Sequence, residues 1–174
     1  AGIMNNYEYK QSIAFHPGEH IRDLTEEMEV AQIREMDHQN IELRHSISPE
    51  MFCRLREQVN FQKVSQRQAK KILENTSYIC AAFYNNEPVG VIRLLFDYGT
   101  DAYITDVIVN PDYQGCGIGR LLIENVLNYI RQNVTDTKVV CSLYANQGKE
   151  DFYHRFGFEK LPNIKYGYGM VLDV

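Results

Sequence analysis

The stretch that decides the fold is residues 103–133, YITDVIVNPDYQGCGIGRLLIENVLNYIRQN, whose pattern predicts a strand, a glycine-rich loop and a helix. Residues 103–109 are rich in β-branched side chains, as strands are. Residues 117–133 repeat apolar side chains at spacings of three and four, as amphipathic helices do. A glycine-rich loop that opens a helix points several backbone N–H groups at one spot, where the helix dipole adds partial positive charge. The stretch therefore predicts a site for a phosphate or pyrophosphate.

The spacing of the loop glycines excludes two common kinds of phosphate-binding loop. The dinucleotide pattern G-x-G-x-x-G would need a glycine at position 120, where Arg120 stands. A P-loop would need Gly-Lys-Ser or Gly-Lys-Thr, and the loop has neither. The pattern present is Q-x-x-G-x-G, formed by Gln114, Gly117 and Gly119.

This loop resembles the acyl-coenzyme A pyrophosphate loop of the GNAT (GCN-type N-acetyltransferase) superfamily. Residues 106–111, DVIVNP, resemble the strand that precedes that loop. Residues 152–158, FYHRFGF, resemble the F-Y-x-x-x-G-F pattern of the family's last helix. The likeness covers roughly residues 41–172, and the tail of the chain is similar to small bacterial members of the family.

Apolar spacing outside this stretch predicts alternating strands and helices. The predicted strands are 41–47, 78–84, 89–96, 103–109, 138–143 and 166–172, and the predicted helices are 49–59, 65–75, 117–133 and 150–156. Ser48 and Ser65 are expected to cap the first two helices, and Gly157 suits the end of the last one. The order β-αα-βββ-α-β-α-β predicts an α/β fold with one mixed central sheet flanked by helices. The resemblance implies that this sheet is GNAT-like.

The charge distribution divides the chain at residue 38. The chain carries 18 basic and 23 acidic residues, a net charge of −5, and all of this excess lies in residues 1–38. That balance disfavours a nucleic-acid-binding or anionic-membrane protein. Ile21, Leu24 and Met28 are spaced as on an amphipathic helix. We therefore predict an acidic N-terminal helical extension over 1–38 and a separate domain over 39–174, which the resemblance identifies as a GNAT acetyltransferase domain.

Two motifs in the N-terminal extension suggest other functions and are set aside. Residues 15–28 resemble the opening helix of bacterial helix-turn-helix regulators, but too few residues follow for a recognition helix. We interpret the segment as a relic helix packed on the core or on a second subunit of a homodimer. His16 and His20 fit the zinc-protease pattern H-x-x-E-H, but Pro17 and Gly18 disfavour the helix that this pattern needs.

The cysteines and the absence of targeting signals predict a cytoplasmic protein. The four cysteines form no C-x-x-C pair and have no zinc-like spacing to histidine, so we expect free thiols and no metal. Free thiols fit a reducing compartment. The sequence contains no signal-peptide pattern and no apolar run long enough to span a membrane. Cys116 lies in the loop, where a redox role is an alternative to simple loop filling.

The resemblance implies acetyl-coenzyme A as the acyl donor. Its pantetheine arm would lie between the strand of Ile108 and Val109 and the strand of 140–141, and the backbone of Ile108 and Val109 would bind it. The pyrophosphate would lie on the loop formed by Gln114, Gly115, Cys116, Gly117, Ile118, Gly119 and Arg120. The remaining implied donor contacts are Asn146, Lys149, Phe152 and Tyr153. Lys149 is equally consistent with a solvated surface lysine.

The resemblance also assigns chemical roles. Tyr153 matches the family's general acid, which protonates the departing thiolate, and the N–H of Val109 would meet the oxyanion. Strand alternation would put Ile104, Asp106 and Ile108 on one face. Asp106 then has three possible roles: a base acting through water, a partner for the acceptor's ammonium, or an ion-pair partner of a residue such as Arg93.

The expected function is transfer of an acetyl group to a primary amine within a ternary complex. We expect a small-molecule amine as acceptor, with a protein lysine or N-terminus as the alternative. The acceptor would be walled by helices 49–75 and loop 160–168, whose aromatic residues are Phe52, Phe61, Tyr166 and Tyr168. Asp97 and Tyr98 are further candidates for this wall. A second hypothesis is a catalytically inactive sensor that binds an acyl-coenzyme A.

Overall fold

The computed structural model describes residues 40–174, which form one five-stranded sheet with helices on both faces. The predicted helix in 1–38 lies outside the described residues. The strands are β1 (Ile41–Arg44), β2 (Tyr78–Tyr84), β3 (Glu87–Phe96), β4 (Asp101–Val109) and β5 (Val140–Leu143). The helices are α1 (Pro49–Gln58), α2 (Gln66–Glu74), α3 (Ile118–Asn133) and α4 (Glu150–His154). No helix among residues 40–174 has the length and apolar character to cross a membrane.

The first two helices begin where their serine caps predict. The hydroxyl of Ser48 accepts a hydrogen bond from the N–H of Met51, and that of Ser65 accepts one from Gln68. Each serine thereby satisfies an N–H group that the first helical turn leaves without a partner. All the elements from β1 to α4 lie within three residues of their predicted bounds.

The sheet is mixed, as predicted, and runs in the order β1-β2-β3-β4-β5. The pairs from β1 to β4 are antiparallel, and β4 with β5 is parallel. The parallel pairing covers only Asp101–Ile104 against Val140–Leu143. Among the described residues, the outer edge of β4 from Thr105 to Val109 therefore has no strand partner.

The core has two layers, one on each face of the sheet. The α3-side core joins Ile92, Leu94 and Ile104 of the sheet to Leu122 and other apolar residues of α3. The α1-side core joins the sheet to helices α1 and α2. Its buried members are Phe52, Leu55, Ala69, Ala81, Phe83, Val91 and Ile108.

A β-bulge in β4 overturns the predicted alternation. Arg93 of β3 opposes Thr105, but Val91 opposes Ile108, so β4 contains one extra residue between these pairs. Asp106 adopts a positive φ of 47° at this point. The bulge shifts the side chains that follow it, so Ile104 lies in the α3-side core and Ile108 in the α1-side core. The prediction that Ile104 and Ile108 share a face was wrong.

The last predicted strand, 166–172, was also wrong. Residues 155–174 contain neither helix nor strand, and Met170, Val171 and Leu172 are largely exposed. The alternation of glycine, tyrosine and apolar residues indicated a strand, but this segment makes none of the sheet's ladder pairs. A strand pattern becomes a strand only when another strand pairs with it.

Candidate active site

A small cleft opens where β4 and β5 separate. Its volume is about 100 Å³. It is lined by Phe61, Tyr103, Ile104, Thr105, Asp106, Val107, Leu143, Tyr144, Asn146 and Tyr153. The lining residues therefore come from β4, from the end of β5 and the segment after it, from α4 and from the loop after α1.

The glycine-rich loop begins at the end of β4 and leads directly into α3. Gly115 and Gly117 have φ values of 80° and 83°, a region that side-chain-bearing residues rarely adopt. Gly117 occupies the N-cap position of α3, where no side chain makes a capping hydrogen bond. The first N–H groups of a helix have no partner within the helix. This helix start therefore has the geometry of an anion site.

Two side chains fix the loop on the rest of the site. The side-chain amide of Gln114 donates to the carbonyl of Val109 over 3.1 Å, tying the loop back to the end of β4. A Cβ atom placed on Gly119 would lie 3.2 Å from the ring of Phe152. The loop and α4 thus approach each other so closely that the 119 position requires glycine or a shift of the ring.

Backbone direction decides which residues of β4 face the gap. The N–H of Asn110 donates to the carbonyl of Val89 on β3, so the N–H of Val109 points the opposite way, toward the open edge. The carbonyl of Ile108 lies on the β3 side, 3.0 Å from where a Cβ on Gly90 would stand. Of the two residues expected to offer backbone to the donor, Val109 faces the gap and Ile108 faces β3.

Tyr153 stands on α4 at the wall of the cleft. Its ring contacts those of Phe152 and Phe158, with centroids 5.0 and 6.2 Å apart. The side chain is half-buried, and burial raises the pKa of its hydroxyl above the ordinary value of 10.0. The raised pKa keeps the phenol protonated at neutral pH, which is the state that a proton donor requires.

Asp106 is held by two arginines. Its Oδ1 accepts a hydrogen bond from Arg56 over 2.5 Å and its Oδ2 accepts one from Arg93 over 2.6 Å. The carboxylate is 6% exposed and each arginine side chain 12%. The structure thus contains the ion pair with Arg93, one of the three roles open to Asp106, and adds a second pair with Arg56.

The sequence pattern of the acetyltransferase (GNAT) family matches residues 39–158, well over half of the chain. The chain belongs to the GNAT family. The N-acetyltransferase ycf52 of Pyropia yezoensis, itself described as uncharacterized, is 32% identical over 109 residues, 60% of this chain and 61% of that protein. The chloroplastic GCN5-related N-acetyltransferase 2 of Arabidopsis thaliana is 36% identical over 74 residues, 42% of this chain and 28% of that protein.

Solved GNAT-like structures show the same architecture. A protein from meticillin-resistant Staphylococcus aureus, described as a probable acetyltransferase, superposes with a TM-score of 0.69 at 26% identity. The match covers 77% of this chain and 99% of that one. A GNAT family protein from Streptococcus pneumoniae gives 0.63 at 24% identity, which shows the shared fold. The chain spans about three fifths of the ycf52 relative, and membership of a small bacterial group stays a prediction.

Of the residues predicted to contact the donor, Asn146 and Tyr153 line the cleft. The carbonyl of Asn146 accepts a hydrogen bond from the N–H of Lys149, the residue at the N-cap position of α4. Arg120 is exposed and ion-paired with Glu124 over 2.8 Å. Cys116 is partly buried in the loop, whereas Ile118 is fully buried in the α3-side core. The side chain of Ile118 therefore packs the loop onto the sheet.

Three residues predicted for the acceptor wall lie elsewhere. Phe52 is fully buried in the α1-side core. The carboxylate of Asp97 accepts hydrogen bonds from the N–H groups of Gly99 and Asp101 in its own turn. The hydroxyls of Tyr98 and Tyr129 share a hydrogen bond of 2.8 Å. Neither Asp97 nor Tyr98 lines the cleft, because both lie in the β3–β4 turn at the opposite end of β4 from the loop.

Sequence reasoning missed other lining residues. Tyr103, Thr105, Val107 and Tyr144 line the cleft, and Arg56 reaches Asp106 from α1. Tyr103 and Val107 lie in the predicted strand 103–109 together with Asp106. Their closeness to Asp106 along that strand could have identified them as lining residues. Arg56 is 50 residues from Asp106 along the chain and left no local signal.

A larger groove continues from the cleft along the outer side of β5. Its volume is about 1000 Å³, and Leu143, Tyr144 and Tyr153 line both cavities. Tyr166 and Tyr168 of the C-terminal segment line this groove, and their expected place at an acceptor site stays a prediction. No group of three or more His, Cys, Asp or Glu side chains within residues 40–174 is arranged to hold a metal.

Proposed function

We propose that this GNAT protein transfers an acetyl group from acetyl-coenzyme A to a primary amine. The observation that carries the proposal is the open edge of β4 between the glycine-rich loop and Tyr153. An unpaired strand edge needs hydrogen-bond partners, and the amides of a pantetheine arm supply them. We propose a small-molecule amine as the acceptor and the cytoplasm as the compartment.

The residues present fit such a donor. The left-handed Gly115 and Gly117 leave the loop backbone unobstructed, and α3 begins there without a side-chain cap. A pyrophosphate on this helix start would be met by N–H groups and by the positive end of the helix dipole. From the loop, the pantetheine arm would follow the outward-facing backbone of Val109 into the cleft beside Tyr153.

The proposed reaction is direct attack of the amine nitrogen on the thioester carbon. A nitrogen–carbon bond forms, the carbon–sulfur bond breaks, and the sulfur leaves as a thiolate. Tyr153 donates its proton to that sulfur, since burial keeps the phenol protonated. The N–H of Val109, which points into the gap, stabilises the negative charge on the thioester oxygen.

The proton on the amine leaves through water in this proposal. Asp106 lines the cleft, but each of its oxygens already accepts a hydrogen bond from a guanidinium. Both oxygens are thus committed to ion pairs with Arg56 and Arg93, and we assign Asp106 no contact with the amine. The acceptor therefore reacts as the small fraction of free amine present in solution, and turnover should rise with pH toward the amine's own pKa.

Calorimetric titration with acetyl-coenzyme A tests the donor half of the proposal, with dephospho-coenzyme A as comparator. We expect saturable one-to-one binding of acetyl-coenzyme A. Absence of binding at millimolar donor would overturn the proposal. A panel of small amines, assayed by release of free thiol, then tests the transfer. Donor binding without thiol release across the panel, and with lysine peptides, would favour the acyl-coenzyme A sensor.

A further inference from the structure

The cluster of Arg56, Asp106 and Arg93 lies beneath the cleft and is not used in the chemistry above. We propose that Arg56 and Arg93 are positioning residues that clamp Asp106 and so hold the β4 bulge that opens the donor cleft. This inference rests on the proposed function, because it takes the gap beside the bulge to be the donor site.

The backbone at Asp106 is the first observation. Its φ of 47° is in the left-handed region, which a residue other than glycine adopts only when its surroundings stabilise it. The bulge is located here, between the Arg93–Thr105 and Val91–Ile108 pairs. Pairing with β5 ends just before it, at Ile104. The strained residue is thus the point at which β4 departs from β5.

The clamp on the side chain is the second observation. Arg56 and Arg93 approach different oxygens of Asp106, from helix α1 and strand β3 respectively. The other contacts of these guanidiniums fix them in turn. Arg56 donates to the carbonyl of Gln62 over 3.0 Å, and Arg93 donates to the hydroxyl of Thr76 over 2.7 Å.

The clamp therefore joins helix α1, strand β3 and strand β4 at the carboxylate of Asp106. The carbonyl of Gln62 belongs to the loop whose Phe61 ring lines the cleft, and Thr76 follows α2. The guanidinium of Arg56 also lies 5.6 Å from the centroid of the Phe61 ring. Arg56 thus fixes both the bulge on one side of the cleft and an aromatic wall on another.

The charges in the Arg56–Asp106–Arg93 cluster make Arg56 the most suitable residue to substitute in a test. The cluster holds two guanidiniums and one carboxylate, all at least 88% buried by side-chain exposure. Arg56→Met removes one cation and leaves a neutral Asp106–Arg93 pair, so no unpaired charge is created. Arg54→Met is the matched control, since Arg54 is on the same helix, is 52% exposed and forms an ion pair with the exposed Glu87 at 3.6 Å.

The measurements are the dissociation constant of acetyl-coenzyme A and hydrogen exchange of the amides from Thr105 to Val109. Arg56→Met should weaken donor binding about tenfold or more and speed exchange in this segment, with helix α3 unchanged. Arg56→Lys should recover part of the affinity, because one ammonium can reach Asp106 but cannot also span to Gln62. Arg54→Met should match the wild type in both measurements.

Wild-type donor affinity and wild-type exchange in a folded Arg56→Met protein would overturn the inference. If Arg56→Met does not fold, Arg56→Gln replaces it, because glutamine removes the same cation, leaves the Asp106–Arg93 pair intact and keeps a side-chain hydrogen-bond donor. Arg56→Gln should then show the same loss of affinity and faster exchange. If the wild type itself fails to bind the donor, the proposed function fails, and the exchange of residues 105–109 alone decides the inference.

Discussion

Tyr153 is the single residue on which the proposed chemistry depends most directly. Replacing it with phenylalanine removes the proton donor and leaves the ring contacts with Phe152 and Phe158 in place. We expect Tyr153→Phe to lower kcat by about 10²-fold, the usual size of a lost general acid. The dissociation constant of acetyl-coenzyme A should stay the same. Steady-state kinetics and calorimetry measure the two quantities.

The control for this change is Tyr98→Phe, which removes a hydroxyl from an exposed tyrosine in the β3–β4 turn, at the opposite end of β4 from the loop. Unchanged turnover in Tyr153→Phe would show that the thiolate leaves without help from the Tyr153 hydroxyl. A parallel loss of turnover in Tyr98→Phe would show that the effect is not specific to the cleft.

Asp106 shows how far the sequence could lead at the residue scale. An acid among branched apolar residues signals a special role, and the pair with Arg93 was one of the roles considered. The bulge was not foreseeable, because a left-handed conformation at an aspartate leaves no local pattern in the sequence and the groups that hold this one lie far along the chain. Arg56 supplies one of these groups from another helix.

The glycine-rich loop and α3 form the element that should hold the pyrophosphate. Gly117 has a φ of 83°, where a β-branched side chain is strongly disfavoured. Gly117→Val should therefore turn the backbone N–H groups of the loop away from the proposed pyrophosphate position. We expect acetyl-coenzyme A affinity to fall at least tenfold, which corresponds to about 1.4 kcal/mol.

A matched control for the loop is Gly167→Val. A Cβ at position 167 would meet nothing within 4 Å, and its backbone is outside the left-handed region. Both variants are compared with the wild type by calorimetric titration and circular dichroism. Full affinity in a folded Gly117→Val protein would contradict the assignment of the loop to the pyrophosphate.

Most elements were predictable because their signals are local. Serine caps, apolar spacing and turn residues act within a few positions, and they place β1 to α4 within three residues of the observed bounds. The aromatic motif of α4 pointed to Tyr153, which lines the cleft, whereas the Q-x-x-G-x-G loop leads into α3 and supplies none of the lining residues. The 166–172 strand failed because pairing is a long-range event, and the cleft wall formed by Tyr103 and Tyr144 depends on how far β5 separates from β4.

At the scale of the whole molecule, the sheet buries thiols in its core. Cys80 on β2 is fully buried, and burial raises the pKa of its thiol from 9.0 to about 12. Burial also raises the pKa of the Cys141 thiol on β5 to about 11. Both groups hold their protons more tightly in the folded protein than in the unfolded chain. The unfolded chain therefore loses these protons first as pH rises above about 9.

This difference predicts alkaline destabilisation, because the free energy of unfolding falls with pH wherever the folded state binds more protons. Between pH 9 and about 11, each thiol should add a slope approaching 1.4 kcal/mol per pH unit. Urea unfolding at pH 7.5, 9 and 10 measures this slope of the free energy of unfolding. Cys80→Ala should lower stability at every pH through the lost packing, yet flatten the slope. An identical slope in wild type and Cys80→Ala would contradict the role of this thiol, since the remaining titrations are common to both proteins.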